Sequence, residues 1–270
     1  MSCIKRSFGI NADCLKGYSE IDSLEMIKKA GFESVFISSY QSADVAQLRK
    51  KADEVGVVIE FIHAPFSGIN NMWLPGLDYL KIFDQMKESI DSAADNGIEG
   101  VVVHVSSGWQ YPAVNDLGLD RFDRLVIYAK ERGVKLIFEN LRAVGNLACL
   151  VDRYEKMPHV VFCYDCGHEH CYTKTVRWMD IFTNRLFCTH IHDNPGRSFD
   201  DKVNDFDWHM LPFDGSCDYE RMMQDLNRYE YRGRLTLEVT QCKPEYEQWS
   251  AEEFLRVCYE RIENISRRGR

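Results

Sequence analysis

KLIFENLRAVGNLACLVDRYEKMPHVVFCYDCGH, residues 135–168, holds two short apolar runs separated by a segment with helical periodicity. The runs Lys135 to Asn140 and Val160 to Asp165 have the length and the aromatic and β-branched content of buried strands. NLACLVDRYEK lies between them as the crossover helix. Two buried strands joined in this way form a parallel βαβ unit. Both runs end on a carboxylate, Glu139 and Asp165.

The same unit recurs outward in both directions. Further strand-like runs are Ser7 to Asn11, Ser34 to Ser38, Val57 to His63, Gly100 to Val105, Leu186 to His192 and Arg234 to Val239. Helical segments follow them, among them IDSLEMIKKAGF, ADVAQLRKKADEVG, LDRFDRLVIYAKERG, TVRWMDIFTNR, DYERMMQDLNRYEYRG and AEEFLRVCYERIENI. Gly31, Gly97 and Gly133 stand where a left-handed cap would close a helix before the next strand. Eight units without a Pro/Gly/Ser-rich linker predict an α/β fold, one closed (β/α)8 TIM barrel as a single domain over residues 1–270. An open doubly wound sheet would not need eight equivalent units.

Composition fits a large core: 45% of the 270 residues are hydrophobic and 28% charged, with no apolar run of eighteen. MSCIKRSFGINADC lacks a long apolar core, so no signal peptide, no membrane partner and a cytoplasmic location are expected. The net charge of −9 argues against broad nucleic-acid binding, and the basic Arg267-Arg268-Gly269-Arg270 run reads as a solvated tail. Ten scattered cysteines read as reduced thiols, and Cys163-x-x-Cys166, inside VVFCYDC, as strand rather than redox or zinc motif.

In a (β/α)8 barrel the βα loops converge on one open mouth, so strand ends locate chemistry. Six consecutive ends carry an imidazole or a carboxylate: His63, His104, Glu139, Asp165, His190 and Glu238. Six ionisable groups in a barrel interior each cost several kcal/mol unless paired or metal-bound, so a divalent-cation site is expected. His168, Asp207 and His209 follow in loops. His192 shares the parity of His190 and points into the same mouth, suited to substrate contact. Trp73, Trp109 and Tyr111 follow strands three and four and are candidates for stacking on a sugar face, and Arg197 is the candidate cation for an anionic substrate. His159 precedes strand six, at the closed end, and is assigned no function; His170 reads as a surface loop residue.

At Glu139-Asn140, Asp165-x-x-His168, His190-Ile191-His192-Asp193 and Glu238 the sequence resembles the xylose isomerase-like barrel superfamily, which includes tagatose 3-epimerase-type sugar isomerases and epimerases, inosose-processing enzymes and endonuclease IV-type nucleases. In the epimerase branch the resemblance implies one Mn²⁺, Co²⁺, Mg²⁺ or Zn²⁺ held by Glu139, Asp165, His190 and Glu238, with His168 touching substrate. In the nuclease branch it implies three zinc ions shared by nine ligands, and His63, His104, Glu139, Asp165, His168, His190, Asp207, His209 and Glu238 fill all nine positions. The loops choose between them. Glu169-His170-Cys171-Tyr172 and Asp193-Asn194-Pro195-Gly196 depart from the nuclease pattern. His209 to Tyr219 looks like the His-x-x-Pro-Gly-x-Gly-x-x-Asp-Trp stretch of sugar isomerase-like proteins, with Phe213 in place of the first glycine.

The expected activity is therefore metal-dependent isomerisation or epimerisation of a sugar, sugar phosphate or inosose-like polyol through an ene-diolate, with Glu139 and Glu238 as acid and base. A zinc-dependent phosphodiester hydrolase is the alternative. A barrel that binds a polyol or metal without turnover is the third, and it would require loss of a base, whereas both glutamates are present.

Overall fold

The computed structural model describes residues 4–197 and 206–269. Eight parallel strands, β1 (Phe8–Asn11), β2 (Ser34–Ile37), β3 (Val58–His63), β4 (Gly100–Val103), β5 (Lys135–Glu139), β6 (Val160–Asp165), β7 (Leu186–His190) and β8 (Leu235–Leu237), lie in the order β7-β6-β5-β4-β3-β2-β1-β8. The ring closes where the Ile191 amide donates to Thr236 and the Glu238 amide donates to Ile191. Around it run α1 (Glu20–Lys29), α2 (Ser42–Val55), α3 (Tyr79–Asp95), α4 (Asp116–Arg132), α5 (Val144–Arg153), α6 (Cys166–Tyr172), α7 (Trp178–Phe182), α8 (Tyr219–Arg228) and α9 (Ala251–Ser266). The chain is a single-domain (β/α)8 barrel. Among the described residues no helix is long and apolar enough to cross a membrane.

The helix-like stretch 175–185 is shorter than expected, with α7 passing into a 3₁₀ turn at Thr183–Arg185. A helix not expected from the sequence, α6, springs directly from β6: the Asp165 carboxylate accepts from the His168 amide at 2.6 Å and caps its first turn. Cys163 lies in β6, as the strand reading of VVFCYDC required.

Two apolar layers hold the barrel. Phe36, Phe61, Val102, Ile137, Cys163 and Cys188, one from each of β2 to β7, plug its interior, and a larger cluster fills the space between sheet and helices. Side chains two residues apart on a strand share a face. The next inward positions above the plug are Ser38, His63, His104, Glu139, Asp165 and His190, so the apolar plug is the floor of the site.

Candidate metal centre

Glu139 is the hub. It is fully buried, with Oε2 3.1 Å from His104 Nε2 and 3.5 Å from His63 Nε2, and Oε1 3.0 Å from His190 Nδ1 and 3.3 Å from His168 Nδ1. His190 in turn lies 3.2 Å from Glu238 Oε2 and 3.9 Å from Asp165 Oδ2. Asn140, the residue after the hub, exchanges two 2.8 Å hydrogen bonds with the Asp165 backbone and fixes the ends of β5 and β6 together. Phe36 and Phe61 pack on the His190 ring, with centroids 4.8 and 5.5 Å away.

A second group stands beside the first. The Asp193–Met210 backbone bridge folds the β7–α8 connection back over the mouth. There Asp207 Oδ2 lies 3.1 Å from His168 Nε2 and 3.5 Å from His209 Nε2, and the His192 ring stacks on His209 at 4.1 Å. His192 Nε2 is 3.2 Å from Asp165 Oδ1, which joins the two groups. Phe213 has φ 77 and His209 φ 46, so the position where a glycine was expected does adopt the left-handed conformation, with phenylalanine in it. A bulky residue there stores about 1–3 kcal/mol of strain. The Phe213 amide donates to Asp193 at 2.8 Å, and its ring packs on Tyr219.

The charges are mutually dependent. Burial alone would raise Glu139, but His190, His104 and His168 hold it well below the usual carboxylate range. Burial likewise opposes the low value of Glu238, which His190 and His209 bring about. Conversely, burial would lower His209, yet Asp207 and Glu238 lift it to about 10, and Asp165 and Asp207 lift His168 well above its ordinary value against the same desolvation. His104 is lowered, chiefly by burial. The carboxylates thus favour compensating positive charge, and His168, His190 and His209 are the imidazoles they raise.

A metal ion would meet the same demand. The atoms Glu139 Oε2, Asp165 Oδ2, His190 Nε2, His192 Nε2 and Glu238 Oε2 are buried without a hydrogen-bond partner. Among the described residues, three donor groups have ligand atoms within 4.8 Å of one another: Glu139, Asp165, His190 and Glu238; His63, Glu139 and His190; and His168, His192, Asp207 and His209. His63 Nδ1 lies 3.1 Å from the Ala64 carbonyl and His209 Nδ1 3.1 Å from that of Glu238. A backbone acceptor at Nδ1 fixes the tautomer and leaves Nε2 for a cation. The residues present fit a divalent metal.

The mouth is a cavity of about 290 Å³ lined by His63, His104, His168, Asp207, His209 and Glu238. Sequence reasoning missed Phe66, half exposed and stacked on His104 at 4.4 Å, and Arg142, whose guanidinium covers the Tyr172 ring at 3.6 Å. Each stands three residues beyond a strand-end ligand, and that spacing was the available signal. Trp109 lies under Arg197, 3.9 Å from its guanidinium to the ring centroid.

Two expectations change. Trp73 does not reach the mouth: its indole N–H donates to the Val105 carbonyl at 2.7 Å and its ring is buried against Phe122 and Gly118, so it is core. His192 is fully buried within the second donor group, behind Asp207 and His209, which line the cavity. His170 is in α6, half buried, with Nε2 2.9 Å from Ser216 Oγ.

Residues 22–258 match the family model described as xylose isomerase-like TIM barrel. The chain belongs to that family. An uncharacterized protein of Sinorhizobium fredii, y4fM, is 28% identical to this family member over 258 residues, 80% of each chain. The solved D-allulose 3-epimerase of Methylomonas sp., in complex with D-allulose, superposes with a TM-score of 0.75 at 15% identity over 99% of both chains. A xylose isomerase-like TIM barrel/4-hydroxyphenylpyruvate dioxygenase fusion protein gives 0.71 at 20% identity, covering 93% of this chain, which spans only 41% of that protein's length. These structural likenesses establish the fold.

Proposed function

We propose that this chain is a divalent-metal-dependent isomerase or epimerase acting on a sugar, sugar phosphate or inosose-like polyol by proton transfer at carbon through an ene-diolate. The observation that carries the reading is the convergence of Glu139 and Glu238, from β5 and β8, on His190, with carboxylate oxygens 3.0 and 3.2 Å from its Nδ1. Glu139, Asp165, His190 and Glu238 would hold the first ion, Mn²⁺, Zn²⁺, Co²⁺ or Mg²⁺. Such an ion, when bound, polarises a carbonyl and its neighbouring hydroxyl.

The remaining work falls to the protein. Glu139 is sealed from solvent while the Glu238 side chain is 17% exposed and lines the cavity. Unequal solvation separates the basicity of two carboxylates, so one can withdraw the proton that the other returns. His168 holds a hydroxyl or a further ion, and His63, His104, Asp207 and His209 do the same around the rim. Trp109 and Arg197, stacked on each other, would contact a sugar face and an anionic substituent, and the epimerase that superposes on the chain lends general support to the reading. No membrane partner and a cytoplasmic location complete the reading.

The test is incubation of metal-loaded protein with a panel of ketoses and polyols in D₂O, followed by NMR. Deuterium wash-in at carbon is expected; its absence across the panel under every metal would refute proton transfer at carbon. One observation favours a second reading, a zinc-dependent phosphodiester hydrolase: the three donor groups around Glu139 and His168 exceed what one ion needs. With a net charge of −9, no incision of an abasic duplex is expected, and zinc-dependent incision would reverse the order.

A further inference from the structure

We propose that Cys166 and Cys217 are an oxidisable dithiol, a modification site that closes to a disulfide on the outer side of the metal centre. Cys166 opens α6 and Cys217 lies just before α8. Both thiols donate to the His192 carbonyl, at 3.6 and 3.7 Å, which sets the two sulfurs side by side. Two further pairs of described cysteines are neighbours, Cys163 with Cys188 and Cys14 with Cys258, but Cys163, Cys14 and Cys258 are fully buried, so neither pair presents both sulfurs to a pocket. Cys166 and Cys217 instead line an open pocket of about 260 Å³ with His170, Lys174 and Arg221, through which a small oxidant can reach them.

A peroxide balances the reaction. One sulfur attacks the O–O bond, which breaks as an S–O bond forms, and the thiol proton leaves in water. The second sulfur then displaces the hydroxyl of that sulfenic acid as a second water, and the S–S bond forms. Two electrons pass from the thiols to the peroxide.

The link would remove both S–H donors from the His192 carbonyl, leaving it the Tyr219 hydroxyl at 3.1 Å. It would also tie α6, which carries His168, to the connection that carries His209. His168, His192 and His209 share one donor group, so the redox state of the pair reaches the metal site through backbone they all depend on.

The experiment treats the native full chain with hydrogen peroxide, alkylates the remaining thiols after unfolding, and maps the digest by mass spectrometry. A Cys166–Cys217 link that forms before any other and is reversed by dithiothreitol is expected. Recovery of both cysteines alkylated while the exposed Cys242 is oxidised, or a different first pair, would overturn the proposal. The Co²⁺ spectra of reduced and linked protein should differ; identical spectra would overturn the coupling to the metal site.

Discussion

Gly167→Ala should damage the second donor group without replacing any of its members. A Cβ at Gly167 would meet three atoms of the His192 ring at 2.1, 2.4 and 2.5 Å. The ring must retreat by more than an ångström, yet it is fully buried, stacked on His209 at 4.1 Å and held 3.2 Å from Asp165. Overpacking of this kind costs about 1–3 kcal/mol of stability. A ligand moved that far also leaves the roughly 0.2 Å tolerance of a metal–nitrogen bond. The expected result is a lower urea midpoint and at least a tenfold loss of affinity for one ion, about 1.4 kcal/mol, while the ion of the Glu139 group stays bound. Urea titration with and without Co²⁺, together with elemental analysis, reads both effects. Wild-type stability and metal content in the variant would refute the argument that the missing side chain makes room for His192.

Glu139→Gln and Glu238→Gln should each lower kcat about 10²- to 10⁴-fold, the usual contribution of a general acid or base, with an unchanged far-UV spectrum; wild-type turnover in either would remove it from the mechanism. Burial pushes the Glu60 carboxyl up against the opposing pull of Ser34, Arg234 and Thr236. A carboxyl raised in the folded state adds stability below its ordinary range and loses it as pH rises through the folded value. Glu60→Gln should therefore raise Tm at about pH 8 and lose that advantage below the ordinary carboxyl range; a Tm difference independent of pH would count against the assignment. His159, whose Nε2 lies 3.0 Å from the Val126 carbonyl far from the mouth, should give wild-type kinetics as His159→Ala, and a large loss of kcat there would mean the mouth is misplaced.

The sequence alone determined the strands, because an all-parallel barrel buries both faces of each strand and leaves continuous apolar runs that punctuation by glycine and polar residues makes visible. It also determined which residues stand at the mouth: once a strand's end is known, the residue there faces that opening, and His63, Glu139, Asp165 and His190 end their strands as read. What it could not decide were properties set by neighbours distant along the chain. Trp73 follows strand three like a rim aromatic, but its place in the core depends on Gly118 leaving room for the indole. His192 has the parity of a mouth residue, and only the fold-back of the β7–α8 connection brings Asp207 and His209 beside it as one donor group. The short helix α6 depends on the Asp165 cap, and the Cys166–Cys217 contact depends on the β7–α8 connection returning to that helix. Periodicity records which face of its own element a residue occupies; which residues meet across the barrel mouth was decided only when the ring closed through Ile191, Thr236 and Glu238.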